Sequence, residues 1–270
     1  MREHEGYIEA GSELGASLRI ALGFSPIKAI HKVGSSSDLD KLEDRIMWPI
    51  KTDMTWQTAD ATLKVSSTSA ADITPRVTVT YMKLGECIER TASVVLTGKT
   101  VATLLDSVTG AAATGFRINN SIVDKSCAGI VYVNHNDTVD AGGIPSTSTK
   151  IMDYIPIKYE RSRTMAYTVP TGYFALIVEA IGICRTPATS GFDIHIYVRG
   201  VGDTAPPHFI HNITSFNAGS SMAERKPVVP EAFPAGTDIW MQMENATSDN
   251  MSVIGEWTIL LHPADRIGLV

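Results

Sequence analysis

"FDIHIYVRG" (Phe192 to Gly200) decides the class of fold. Phe192, Ile194, Ile196 and Val198 alternate with Asp193, His195, Tyr197 and Arg199. A period of two puts the apolar side chains on one face of a strand and the polar ones on the other. One buried face and one wet face favour an antiparallel sheet, because parallel sheets are covered on both sides. "TDIWMQME" (Thr237 to Glu244) repeats the pattern, with Ile239, Met241 and Met243 opposed to Trp240, Gln242 and Glu244. Trp240 therefore faces away from the methionines. It must pack in a second layer, against a neighbouring loop or on a partner, which makes it a candidate interface residue.

Reading outward, residues 151–270 hold about eight such segments, among them "TMAYTVP", "YFALIVEAIGIC", "HFIHNITSF" and "SVIGEWTILLH". That number suits a jelly-roll-like sandwich. Pro170 with Gly172, and Pro234 with Gly236, punctuate the starts of two long strands. They read as two corners of one sandwich, with the Pro170–Gly172 spacing suggesting a type I turn that has glycine in fourth place. Upstream, "TLKVSS", "RVTVTYM", "TASVVLTG", "TVATLL", "FRINNSIV" and "GIVYVNHN" are short, rich in Val, Ile and Thr, and separated by turn residues. They predict a first, Ig-like sandwich over 48–140. "DTVDAGGIPSTSTK" (Asp137 to Lys150) is small and polar, and its last ten residues, 141–150, are expected to be a linker.

The first 47 residues read as an arm. Leu14, Leu18 and Leu22 have helical spacing, weakened by Gly11 and Gly15. "SDLDKLEDRIMW" predicts a short helix: Ser37 can cap it, Leu39, Leu42 and Ile46 share a face, and Pro49 ends it. Leu14, Leu18, Leu22 and Phe24 need a surface to cover, so they join Trp240 as interface candidates, and residues 1 to 36 are expected to cross an intersubunit boundary. The expected fold is all-β: two antiparallel β-sandwich domains behind an N-terminal arm with a short helix.

Composition narrows the function. The chain has 270 residues, 44% of them hydrophobic, and a formal net charge of -6. It can bury a real core, and it lacks the clustered Lys and Arg that phosphate backbones demand. Cys87, Cys127 and Cys184 are too far apart for a metal-ligand motif and read as buried, inert thiols. The N-terminus carries no apolar signal run, and no segment reaches the ~20 apolar residues of a membrane span. "LTGKT" lacks the first glycine of a phosphate loop, since Ser93 stands at its place, so it reads as a hairpin turn. His208 and His211, three apart on a strand, point to opposite faces and do not chelate one ion. Glu179, inside an apolar strand, reads as an outward residue or an interface partner. No nucleophile elbow or carboxylate pair is nominated. No catalytic residue, cofactor or metal is expected.

An ordered series of segments carries a resemblance. "EDRIMWP", "LKVSSTSAAD", "RVTVTYM", "ERTASVVLTGKTVATL" and "FRINNSIV" are followed by "AYTVPTGYFALI" and "AFPAGTDI". From about Asp38 to Leu261 the chain resembles virion structural proteins of tailed bacteriophages of the type common in marine phages. It departs from them where a Gly-rich stretch and a "GLD"-like turn are usual, having "RIMWPIKTD" and "YMKLGEC" instead. The resemblance implies a non-enzymatic protein of a symmetric particle, made in a bacterial cytoplasm and located in the virion. The implied partners are other copies of itself and capsid, portal or adaptor, tail or fibre proteins. Neck, tail or fibre attachment is favoured over capsid decoration. The alternatives are a carbohydrate- or host-receptor-binding sandwich using Tyr173, Tyr197 and Trp240, and a glycan hydrolase.

Overall fold

A computed structural model describes residues 26–39, 45–50, 54–184, 192–203, 206–216, 222–225, 231–247, 249 and 251–266. The fold is all-β, and the described residues form four sheets whose pairings are antiparallel. The first sheet runs β11 (Ile151–Ile155), β10 (Val131–His135), β3 (Ala61–Ser67), β6 (Ala102–Thr103), with β8 (Thr114–Gly115) also on β3. The second runs β7 (Leu105–Asp106), β5 (Glu89–Val95), β4 (Arg76–Met82), β9 (Arg117–Val123). Val77, Val79 and Tyr81 of β4 point into a core shared with Leu63 and Val65 of β3, Val131 and Val133 of β10, and Met152 and Ile155 of β11.

The third sheet runs β12 (Ala166–Thr168), β18 (Thr237–Glu244), β14 (Phe192–Gly200), β15 (His208–Phe216), with β2 (Arg45–Ile46) on β18. The fourth runs β1 (Lys28–Leu39), β19 (Met251–Pro263), β13 (Tyr173–Cys184), β16 (Met222–Arg225), with β17 (Ala232–Phe233) on β13. Phe192, Ile194 and Ile196 share a core with Ile239, Met241 and Met243 and with Val253, Trp257, Ile259 and Leu261 of β19. The alternation in β14 and β18 therefore runs in the phase that the sequence predicts.

Three expectations are corrected. Ser37–Leu39 is strand, the end of β1, and Arg45–Ile46 is strand as well, so the described parts of the expected helix are extended. Tertiary pairing overrides the helical spacing: Leu39 pairs with Met251 of β19, and Arg45 and Ile46 pair with Met243 and Gln242 of β18. Residues 28–36, expected to reach another subunit, pair residue by residue with Leu261 to Val253 of their own chain, while residues 1 to 25, with Leu14, Leu18, Leu22 and Phe24, lie outside the described residues. Residues 141–150 are not a spacer between two halves. Val139 bridges Pro145, Asp140 closes the turn through Gly142 and Ile144, and the chain then returns as β11 beside β10.

The Pro-x-Gly corners also differ in detail. The Tyr173 N–H donates to Pro170 O at 3.2 Å and Gly172 has φ 85°, which places glycine third in a type II turn, with Pro170 first. The two corners touch, since the Val169 N–H donates to Thr237 O and the Gly236 N–H to Val169 O, both at 2.9 Å. Each carries the chain from one sheet of the second pair to the other.

Gly34, Gly255 and Gly182 stand side by side on β1, β19 and β13. A Cβ on Gly34 would meet Met165 Cγ at 2.0 Å, and one on Gly255 would meet Met47 Sδ at 2.4 Å and Met241 Sδ at 2.6 Å. At Gly34 and Gly255 the row of glycines is thus a trough in the sheet that these methionine side chains fill. Met is the unbranched side chain that can lie along such a trough.

Cys127 is buried and burial pushes its thiol up to about 11; burial also raises Cys87, which is half-buried. In a Cys184→Ser background at pH 8, a thiol reagent is expected to label Cys127 at least roughly tenfold more slowly than Cys87, and both readily in denaturant. Equal native rates would contradict the packing around Cys127.

Candidate functional site

The densest polar chemistry lies where the two pairs of sheets meet. Arg117 opens β9, and its guanidinium clasps Asp238 of β18 through Nε to Oδ1 at 3.0 Å and Nη2 to Oδ2 at 2.9 Å. Both side chains are nearly inaccessible, at 7% and 0% exposure. Nη1 donates to the carbonyls of Phe116 and Gln57, and the guanidinium carbon lies 4.4 Å from the Phe116 ring centre and 4.8 Å from that of Trp56. The Thr168 hydroxyl donates to Asp238 Oδ1 at 2.6 Å. A buried carboxylate held by a fork of two N–H donors and a hydroxyl is a well-satisfied charge.

Two residues along β9, the Asn119 amide mimics a strand neighbour. Its Oδ1 accepts the Thr168 N–H and its Nδ2 donates to Thr168 O, both at 2.9 Å. Nδ2 also donates to Glu89 Oε1 at 2.8 Å, and the Tyr167 hydroxyl reaches the same oxygen at 3.1 Å. Lys32 of β1 enters from the other side. Its Nζ donates to Asn119 O at 2.7 Å and to Ala166 O. Burial lowers its pKa to about 8, against the opposing pull of Asp153 and Glu89. Asp153 of β11 accepts the hydroxyls of Ser121, Ser162 and Thr164. Lys32, Glu89, Asn119 and Tyr167 line a cleft of about 620 Å³, rimmed by Tyr159 and Arg161.

Trp240, a sequence-predicted interface residue, is instead covered by its own chain. It is 3% exposed, and its ring lies 5.3 Å from Trp56 and stacks at 5.7 Å on Tyr197. Gln242 accepts its indole N–H at 3.1 Å, and Gln242 and Tyr197 both donate to Glu244. Tyr173 is elsewhere, with Lys28 Nζ 4.6 Å from its ring centre. The three aromatics considered for sugar stacking therefore form no common open face.

Lys32, Glu89, Arg117, Asn119, Asp153 and Asp238 belong to no motif in the sequence. The available signal is "FRINNSIV", where Arg117 and Asn119 share a phase that looks solvated until a second layer covers it. Among the described residues no group of three His, Cys, Asp or Glu side chains is placed to hold a metal ion, and no helix is long and apolar enough to cross a membrane.

No family model matches the chain. A stretch of 70 residues, 26% of the chain, is 36% identical to hemagglutinin-esterase-fusion glycoproteins of influenza C virus, including those of strains C/Mississippi/1980 and C/Pig/Beijing/439/1982. It spans 11% of the length of those proteins. Among solved structures, the infectious bursal disease virus Gx strain aligns over 90% of this chain and 73% of that one, at 7% identity and a TM-score of 0.23. The VP2 subviral particle of the same virus aligns over 90% and 83%, at 10% identity and a TM-score of 0.15. These TM-scores are below those of a shared fold.

Proposed function

We propose that this chain is a non-enzymatic structural component of a virion, one that self-assembles symmetrically and joins parts of a particle. The observation that carries this reading is the buried seam. Arg117, Asn119, Asp238 and Lys32 spend their hydrogen bonds on fixing one pair of sheets to the other. In this reading the two pairs of sheets are two sandwiches, the first Ig-like and the second jelly-roll-like, locked into one rigid block. A repeating particle needs such blocks, because a symmetric contact is only as well defined as the body that carries it.

The ordered resemblance to tailed-phage virion proteins supports the same reading and favours a place at the neck, tail or fibre attachment. Residues 1–25, with their leucines and Phe24, are the segment assigned to contacts between subunits. Size-exclusion chromatography with light scattering on the full chain tests this. A discrete ring or trimer is expected. A stable monomer at all concentrations that binds glycans would overturn the proposal and favour the receptor-binding alternative.

A further inference from the structure

The cleft beside Lys32 lies between two β-edges, and each turns main-chain groups outward. We infer that it takes an extended strand, residues 18–24 from the arm of a neighbouring copy, which pairs with the free edge of β1. This rests on the symmetric assembly proposed above and names the surface that the arm covers.

The first edge is β1. Among the described residues its one strand partner is β19. The Ser35 N–H donates to Arg163 O at 3.2 Å, so Ser35 turns its main-chain groups away from β19. The register with β19 is unbroken from Ser36 back to Lys28, so Val33, His31 and Ala29 turn theirs the same way. Among the described residues these three make no main-chain bond on that side. The second edge is residues 160–162. The Val123 N–H donates to Glu160 O and the Ser162 N–H to Ser121 O, both at 2.9 Å. Arg161, bridged to Ile122, therefore turns its own N–H and C=O away from β9. Residues 29–33 and 159–163 both line the cleft, and the bond from Ser35 to Arg163 ties the two edges together at one end. A strand residue fills roughly 150 Å³ of a sheet, so the cleft of about 620 Å³ admits about four. Adding a strand to an exposed sheet edge is a general mode of peptide recognition.

The sequence just before β1 supplies the occupant. In "SLRIALGF" (Ser17 to Phe24) Leu18, Ile20, Leu22 and Phe24 alternate with Arg19, Ala21 and Gly23. This is strand spacing, with large apolar groups on one face and small ones among the other. On β1, Ile30 packs on the core and Lys32 is buried, while Ala29 and His31 are exposed. A strand that sets Ala21 and Gly23 on the inner side carries Leu22 and Phe24 on the outer one. There Leu260 stands opposite Ala29 and Ile254 opposite Ser35, both half-buried, so the outer side is already partly apolar. The described chain begins at Pro26, two residues before β1 and at the end of the strand away from the Arg163 tie. Residues 25–27 alone join the segment to its own β1, a span of at most about 14 Å, so the clefts of neighbouring copies open close together.

Hydrogen exchange of the full chain, resolved to single amides by mass spectrometry, tests the inference, with light scattering at each concentration used. The amides of Ala29, His31 and Val33 are expected to exchange at least roughly tenfold more slowly in the assembled state than in the dissociated one, and those of residues 18–24 to slow in parallel. Ala29→Pro removes one outward N–H and leaves the ladder to β19 intact. Ile20→Pro with Leu22→Pro spoils the arm strand without touching the described fold. Both variants, shown to be folded by circular dichroism, are expected to raise the concentration needed for assembly at least roughly tenfold. An assembly in which the three amides exchange freely, or which both variants leave unchanged, overturns the inference while the assembly itself stands. Slow amides in a monomer also overturn it, since the arm then lies on its own chain. A chain that stays monomeric with fast amides defeats the inference and the assembly reading together.

Discussion

Replacing Arg117 with methionine is expected to lower stability by about 3–5 kcal/mol, the usual cost of removing one partner from a buried ion pair. The substitution keeps much of the apolar stem that packs on Phe116 and Trp56. It removes two N–H bonds from the Asp238 carboxylate and leaves that group with 0% exposure and only the Thr168 hydroxyl as a named side-chain donor. The carbonyls of Gln57 and Phe116 lose a donor too. Urea unfolding followed by tryptophan fluorescence reads the change as a lower midpoint at an unchanged slope. The double variant Arg117→Met with Asp238→Asn is expected to recover part of the loss, because the orphaned charge is gone. A single-variant cost under about 1 kcal/mol would mean that the pair is solvated and the seam is open.

The seam also marks where sequence reading stops. The β14 and β18 patterns were legible because one side of each strand meets the core and the other side does not. β9 was legible as a strand but not as a seam. Arg117 and Asn119 look wet by composition, and only the arrival of β12, β18 and β1 from elsewhere in the chain buries them. β1 was misread because "SDLDKLEDRIMW" has real helical spacing, and no local signal reports that β19 will offer a ladder to the residues just before and within it. In β13 the register shifts between Ile177 and Glu179, so Ile177 and Ala180 are both buried, three residues apart. A bulge breaks the period of two and makes the segment look uniformly apolar. Long-range pairing, not local propensity, decides each of these cases.

The segment read as a linker supplies the second large effect. Gly143→Ala is expected to cost roughly 3 kcal/mol, while Gly110→Ala costs about 1 kcal/mol. Both glycines have positive φ, 80° and 70°, so each alanine carries the same left-handed backbone penalty. Their surroundings differ. A Cβ on Gly110 meets nothing within 4 Å, whereas one on Gly143 would lie 2.0 Å from Ser67 O and 3.1 Å from Lys99 Cα. Those are backbone atoms at the end of β3 and in the turn beside it, and neither can swing away as a side-chain tip would. Moving Gly143 also breaks the bond from the Ser66 hydroxyl to Gly143 O at 2.9 Å. The difference between the two variants, read from denaturation midpoints, therefore isolates the packing of this loop on the first sheet. If Gly143→Ala cost no more than Gly110→Ala, the loop would be a free spacer after all. The larger loss means that it is a built part of the block, in keeping with the return of the chain as β11 beside β10.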